Sequence, residues 1–179
     1  GDRKLLLQLC EPLKGRSPDG TNTWVQGSAG LGHASLLTSH IARVVSQPCT
    51  LDGREWVISD AHIYDKENLV QQLCTTGLCI EANETDSNLL LLAYRAFGDA
   101  FARHLVGDFA IAIWDKQREK LICARDHLGV RPFFYAHTEE CFVFSSSIDA
   151  IRAHPKVSSE LNELFIADAL LFGSTIDSE

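Results

Sequence analysis

The segment Gly107-Asp-Phe-Ala-Ile-Ala-Ile-Trp-Asp115 constrains this chain more than any other. Read as a strand, it points Phe109, Ile111 and Ile113 to one side and Ala110, Ala112 and Trp114 to the other. Both sides are apolar, so both faces of its sheet must be covered. Asp115-Lys-Gln-Arg-Glu119 is a polar turn and residues 121–124 are a second apolar strand, which together make a hairpin. Gly129 punctuates the next turn, with Arg125, Asp126 and Arg131 expected around it as charge-paired staples. Residues 133–136 and 141–145 form a second hairpin across His137-Thr-Glu-Glu140. An antiparallel sheet usually leaves one face wet. A run apolar on both faces therefore implies stacked sheets with helices outside.

The other elements follow from periodicity and turn chemistry. Leu5, Leu6, Leu9 and Leu13 have helical spacing over residues 3–13, and Gly15-Arg-Ser-Pro-Asp-Gly20 is a turn. Residues 23–26 and 30–37 read as strands, and Gln47-Pro-Cys-Thr-Leu-Asp-Gly53 as loop and turn. Residues 55–62 form another strand, with Trp56, Ile58 and Asp60 on one side. Asp65 caps a helix carrying Leu69, Val70, Leu73 and Cys74, which Gly77 ends. Thr85 or Asp86 starts the next, which is apolar nearly all round through Leu89, Leu90, Leu91 and Tyr94, and is therefore deeply buried. Residues 101–106 form a short helical turn and 147–153 a short helix. The last helix spans 159–172, with Leu161, Leu164, Phe165, Ala169 and Phe172 as its apolar face.

A chain of 179 residues, 45% apolar, is one domain with a substantial core. Its net charge of -8 argues against a nucleic-acid partner, which needs a basic stripe. No apolar run approaches the roughly 20 residues of a membrane span, and no secretory signal is visible. A cytoplasmic location is expected. The six cysteines are scattered, and Cys123 and Cys141 are expected in strand cores, so buried free thiols are the natural reading. Cys74-x4-Cys79 has the wrong spacing for a zinc site and the histidines form no ligand pattern, so no metal is expected. With no methionine, the chain is expected to be a piece of a longer protein.

The order of the motifs resembles class II glutamine amidotransferase domains of the asparagine synthetase family. Arg16-Ser-Pro-Asp-Gly20 resembles that family's Arg-Gly-Pro-Asp-Gly turn, and Leu31-Gly-His-Ala-Ser-Leu36 its Leu-Gly-His-Arg-Arg-Leu strand. Gln47-Pro48 and Ser59-Asp-Ala-His-Ile-Tyr-Asp65 are similar to its Gln-Pro and Val-Asn-Gly-Glu-Ile-Tyr-Asn stretches, and Thr85-Asp86 stands at its Ser-Asp. The strand at 107–115 and Arg125-Asp-His-Leu-Gly-Val-Arg-Pro-Phe-Phe-Tyr135 resemble Gly-x-Phe-Ala-x-x-x-Trp-Asp and Arg-Asp-x-x-Gly-x-(Lys/Arg)-Pro-x-x-Tyr. The likeness runs from about residue 5 to residue 173. It implies an α+β fold, the four-layer αββα sandwich of N-terminal nucleophile hydrolases. It also implies that residues 1–179 are a glutaminase-like domain lacking its first strand and a downstream synthetase domain. That domain would be the partner of this one, would use ATP and Mg2+, and would act on a small molecule or peptide. No cofactor is implied here, and a homodimer is open.

In the family an N-terminal Cys attacks glutamine and its own α-amino group handles the proton. Here the first residue is Gly1, and Cys10 lies in a helix with its amine in a peptide bond. The family's oxyanion site uses an Asn side chain and the next Gly N–H. Asp60 and Ala61 stand there, and an ionised carboxylate donates nothing and repels a developing anion. The family's glutamine carboxylate is held by an Arg where this chain has Ser35, which cannot form a bidentate pair. Asp86 matches the position that binds the substrate amino group, and read from its neighbours alone it is a helix cap. Ser35, Asp60, Ala61 and Asp86 are thus vestigial pocket positions with no catalytic residue among them.

Three functions are compatible with this pattern. The first is a domain that has lost glutaminase activity within an ATP-dependent amide-forming enzyme of the β-lactam synthetase or lasso-peptide cyclase kind. The second is a glutamine-hydrolysing asparagine synthetase whose Cys precedes Gly1. The third is a stand-alone, non-catalytic binding module.

Overall fold

The computed structural model describes residues 1–36, 46–78, 80 and 84–173. The expected strand 107–115 is β4 (Gly107–Asp115), and its residues 109–113 are all buried. It is the centre of a three-stranded antiparallel sheet, between β3 (Glu55–Ile63) and β5 (Lys120–Arg125). The register pairs Ile63 with Gly107, Asp60 with Ala110 and Ile113 with Ile122.

One face of this sheet carries Val57, Ile63, Phe109, Ile111 and Ile113 into the main core. Helices α2 (Lys66–Thr75) and α3 (Asp86–Phe97) cover it with Leu69, Leu73, Leu89, Leu90 and Tyr94. Asp65 caps α2 as expected, its carboxylate accepting from Asn68 N–H. The cap of α3 is Thr85, whose hydroxyl accepts from Asn88 N–H, so Asp86 is the first helical residue and not the cap.

The other face meets a two-stranded ribbon, β1 (Thr21–Gln26) and β2 (Ala29–Ala34). Trp24 of β1 stacks on Trp56 of β3, ring centres 4.8 Å apart. Helix α1 (Arg3–Cys10) closes the far side of the ribbon. It sits so tightly that a Cβ on Gly32 would come within 2.6 Å of Cys10 Sγ. Helix, ribbon, sheet and helices therefore stack in the αββα order. The layers are less continuous than expected: a second ribbon, β6 (Phe134–His137) with β7 (Phe142–Ser145), forms its own two-stranded ladder.

The outer edge of β3 is also occupied. Cys49 and Val57 exchange backbone hydrogen bonds at 3.1 and 2.9 Å. Two residues on, the Gln47 carboxamide accepts from Ser59 N–H at 2.5 Å and donates to Ser59 O at 3.0 Å. Gln47 thus acts as a short piece of strand made from a side chain.

The turn after β5 is built differently from the expected charge-paired staples. Asp126 accepts four backbone N–H bonds, from Phe109, Leu128, Val130 and Arg131. Burial alone would raise its carboxyl, but these donors outweigh it and hold the group at about 2. Arg125 donates to the carbonyls of Gly129 and Arg131. These side chains hold backbone and do not pair with one another.

Two further expectations fail. Cys123 is exposed on β5, and Cys141 only partly buried, because short ribbons and edge strands leave one face open. Helix α5 (Glu163–Phe172) starts after its cap, Asn162, later than residue 159. Leu161, Leu164 and Phe165 on its expected core face are exposed, as are Leu170 and Leu171. Periodicity identifies an apolar face, and no described residue buries this one. The expected strand residue Leu37, Cys79 of the cysteine pair and the tail 174–179 lie outside the described residues.

Candidate functional site

The alternation of β2 puts Leu31, His33 and Ser35 toward the sheet and Gly32 toward α1. Ser35, just past the end of β2, is buried. Its backbone is pinned to the preceding turn: Ser35 N–H donates to Gly20 O at 2.8 Å, and Asp19 N–H donates to Ser35 O at 3.2 Å. Its hydroxyl lies 3.1 Å from His33 Nδ1. Burial pushes His33 below its ordinary 6.5, with the negative charge of Asp60 partly opposing.

Asp60 and Ala61 sit on β3 opposite Ala110 and Phe109. The Asp60 carboxylate is half exposed, and its Oδ1 lies 3.4 Å from Arg131 Nη1. This corrects the picture of a bare anion, because a guanidinium lies beside it. Arg131 is fixed through its backbone, where its N–H donates to Asp126 and its carbonyl accepts from Arg125. Its Nε is buried without a hydrogen-bond partner.

Asp86 stands apart from Ser35 and Asp60, at the start of α3. Its Oδ1 meets Lys66 Nζ at 2.6 Å. The contact has ion-pair distance without hydrogen-bond alignment, so we read it as a Coulombic pair. At its end β3 runs out into an open cavity of about 420 Å³ lined by His62, Tyr64, Asp65 and Lys66. The Tyr64 hydroxyl donates to Asp108, and its ring stands edge-on to His62 at 5.2 Å.

The structure thus sets Ser35 beside His33 at the end of β2, with Asp60 of β3 within electrostatic reach of that ring, and leaves Asp86 apart at the start of α3 with Lys66. His33, Lys66 and Arg131 were not expected there. Only His33 had a usable signal, since it alternates with Leu31 and Ser35 on one strand face. Arg131 and Lys66 reach Asp60 and Asp86 from 71 and 20 positions away, which no local pattern reports. Cys10 packs under Gly32, and burial pushes its thiol up, so it is a core residue and not a nucleophile. Among the described residues no group of three or more His, Cys, Asp or Glu could hold a metal ion. No helix among them is long and apolar enough to cross a membrane.

Comparison with known proteins is consistent in direction. The chain is 33% identical over 175 residues to asparagine synthetase [glutamine-hydrolyzing] 3 of Bacillus subtilis, a match covering 96% of this chain and 28% of that protein. It is 26% identical over 160 residues to amidase chry2 of Gibberella zeae, covering 86% of this chain and 24% of the relative. The chain therefore spans about a quarter of the length of these relatives. Among solved structures it is similar to glutamine phosphoribosylpyrophosphate amidotransferase from B. subtilis, complexed with ADP and GMP. The TM-score is 0.56 at 20% identity, over 72% of this chain and 30% of that one, which supports the fold. The sequence profile of the glutamine amidotransferase domain matches residues 1–178, and the chain belongs to that family, in its asparagine-synthetase-like branch.

Proposed function

We propose that this domain does not hydrolyse glutamine and serves a longer, ATP-dependent, amide-forming enzyme. The observation that carries the reading is Asp60, an exposed carboxylate tied to Arg131 where the family presents an amide donor. An oxyanion forming beside Asp60 gains no hydrogen bond from it, and loss of one such donor costs about 10²–10³ in rate. Ser35 supports the same reading. It is buried, turned toward His33, and too short to clamp a carboxylate as an arginine does. Lys66 already occupies Asp86, so an incoming amino group must displace an ammonium held at 2.6 Å. ATP and Mg2+ would belong to the remainder of the enzyme, which this domain would pack against.

A second reading keeps glutamine hydrolysis. One observation favours it: Arg131 neutralises Asp60 and removes part of the repulsion an oxyanion would meet. Glutamate release from glutamine by the intact protein separates the two. The expected result is no turnover above the buffer rate, with wild type and Asp60→Asn alike. Turnover by the wild type that responds to Asp60→Asn would overturn the first reading and establish the second.

A further inference from the structure

A second cluster lies away from this cavity, where the β6–β7 ribbon meets α4 (Ile148–Arg152). Cys141 precedes β7, and its Sγ lies 3.8 Å from His154 Nε2 and 3.3 Å from Thr138 Oγ1. His154 is 5% exposed, so its ring is held in one place. Its Nδ1 accepts the Lys156 N–H at 3.3 Å. An Nδ1 that accepts leaves the ring proton on Nε2, pointed at the sulfur. The backbone of Cys141 is fixed as well. Its N–H donates to Thr138 Oγ1 at 3.1 Å, and its carbonyl accepts from Thr138 N–H at 2.9 Å.

We propose that Cys141, paired with His154, is a site of reversible oxidation by small hydroperoxides. Cys141 is partly exposed, so a small oxidant can reach the sulfur. Once the thiol proton has passed to water, Nε2–H donates to the sulfur anion and holds it in place. The anion attacks one oxygen of the hydroperoxide. An S–O bond forms and the O–O bond breaks. Sulfur is oxidised by two electrons, and the departing hydroxide or alkoxide takes up the released proton as water or alcohol. The product is a sulfenic acid, which thiols reduce again. No other described cysteine has this surrounding. Burial pushes the thiols of Cys10 and Cys49 up, and that of Cys123 up to about 11 although the residue as a whole is exposed on β5, while Cys74 lies on the surface of α2.

The test is sulfenic-acid trapping with dimedone after limiting hydrogen peroxide, quantified for each cysteine peptide by mass spectrometry on the intact protein. Cys141 is expected to carry the largest adduct, about tenfold above exposed Cys74, the factor one hydrogen bond to a charged group is worth. In urea the difference is expected to disappear. His154→Phe removes the donor and is expected to bring Cys141 down to the level of Cys74, with Cys74 unchanged as internal reference. If that variant does not fold, the ranking in the folded wild type decides alone. An adduct on Cys141 no larger than on Cys74, or one that survives His154→Phe in a folded protein, overturns the proposal.

Discussion

Gly107→Ala is the sharpest perturbation of the frame that holds the cavity. Gly107 opens β4 opposite Ile63, and a Cβ built on it falls 2.2 Å from His62 O and 3.1 Å from Ile63 Cα. Real Cβ contacts do not fall below 3.0 Å, so one of two strand backbones must move by roughly 0.8 Å. Neither atom is the end of a flexible side chain that can swing away. The movement opens the Ile63–Gly107 pair and strains the Tyr64 N–H to Val106 O bond of 2.9 Å just beyond it. Overpacking together with one or two weakened backbone bonds costs about 3 kcal/mol. Reduced freedom of the unfolded chain returns about 0.4–1 kcal/mol. A domain of this size loses about 2–4 °C of Tm per kcal/mol, so the net cost of about 2–2.6 kcal/mol gives an expected fall of about 4–10 °C. The assay is thermal melting followed by circular dichroism, with Gly53→Ala as control. Gly53 has φ 84° and open space around it, so its variant bears backbone strain alone, about 1–2 kcal/mol. A Gly107→Ala melt no lower than that of Gly53→Ala would refute the clash argument.

Asp126→Asn is expected to lower Tm at neutral pH and to flatten the acid limb. The carboxyl is held at about 2 against an ordinary 3.8, so its stabilisation is complete above 3.8 and lost as pH falls toward about 2. The Tm gap between wild type and variant closes over that window, and a pH-independent gap would contradict the role given to the four donors. Asp60→Asn removes the charge that partly opposes the burial of His33. The His33 ring, followed by NMR titration, is expected to titrate still further below 6.5 in that variant. Because the folded value is lowered, His33 contributes stability above its unfolded value near 6.5 and loses it as pH falls below. An unchanged His33 titration would show that the carboxylate and the ring do not sense each other.

Local rules succeeded where the determining groups lie within a few residues. The double burial of β4, the Asp65 cap and the hairpin turns are of this kind. Thr85 and Asp86 stand side by side and either can cap, so only backbone geometry separates them. The same limit applies at the site. The motif order proposes Ser35, Asp60, Ala61 and Asp86 as the positions of interest, but it carries no sign of the ion pairs made by Arg131 and Lys66. Those pairs depend on how the β5–β6 turn and the start of α2 fold back toward β3. Likewise, the spacing of Leu161, Leu164 and Phe165 reveals an apolar helix and says nothing of its cover.

The Gln47 carboxamide on Ser59 has a consequence beyond local stability. A three-stranded sheet whose rim shows free N–H and C=O groups invites another chain to add itself there. On β3 two of the positions that face outward are already engaged, Val57 by Cys49 and Ser59 by an amide borrowed from a side chain. The protein thereby blunts its own tendency to polymerise through that stretch of the rim, immediately beside the Asp60 carboxylate.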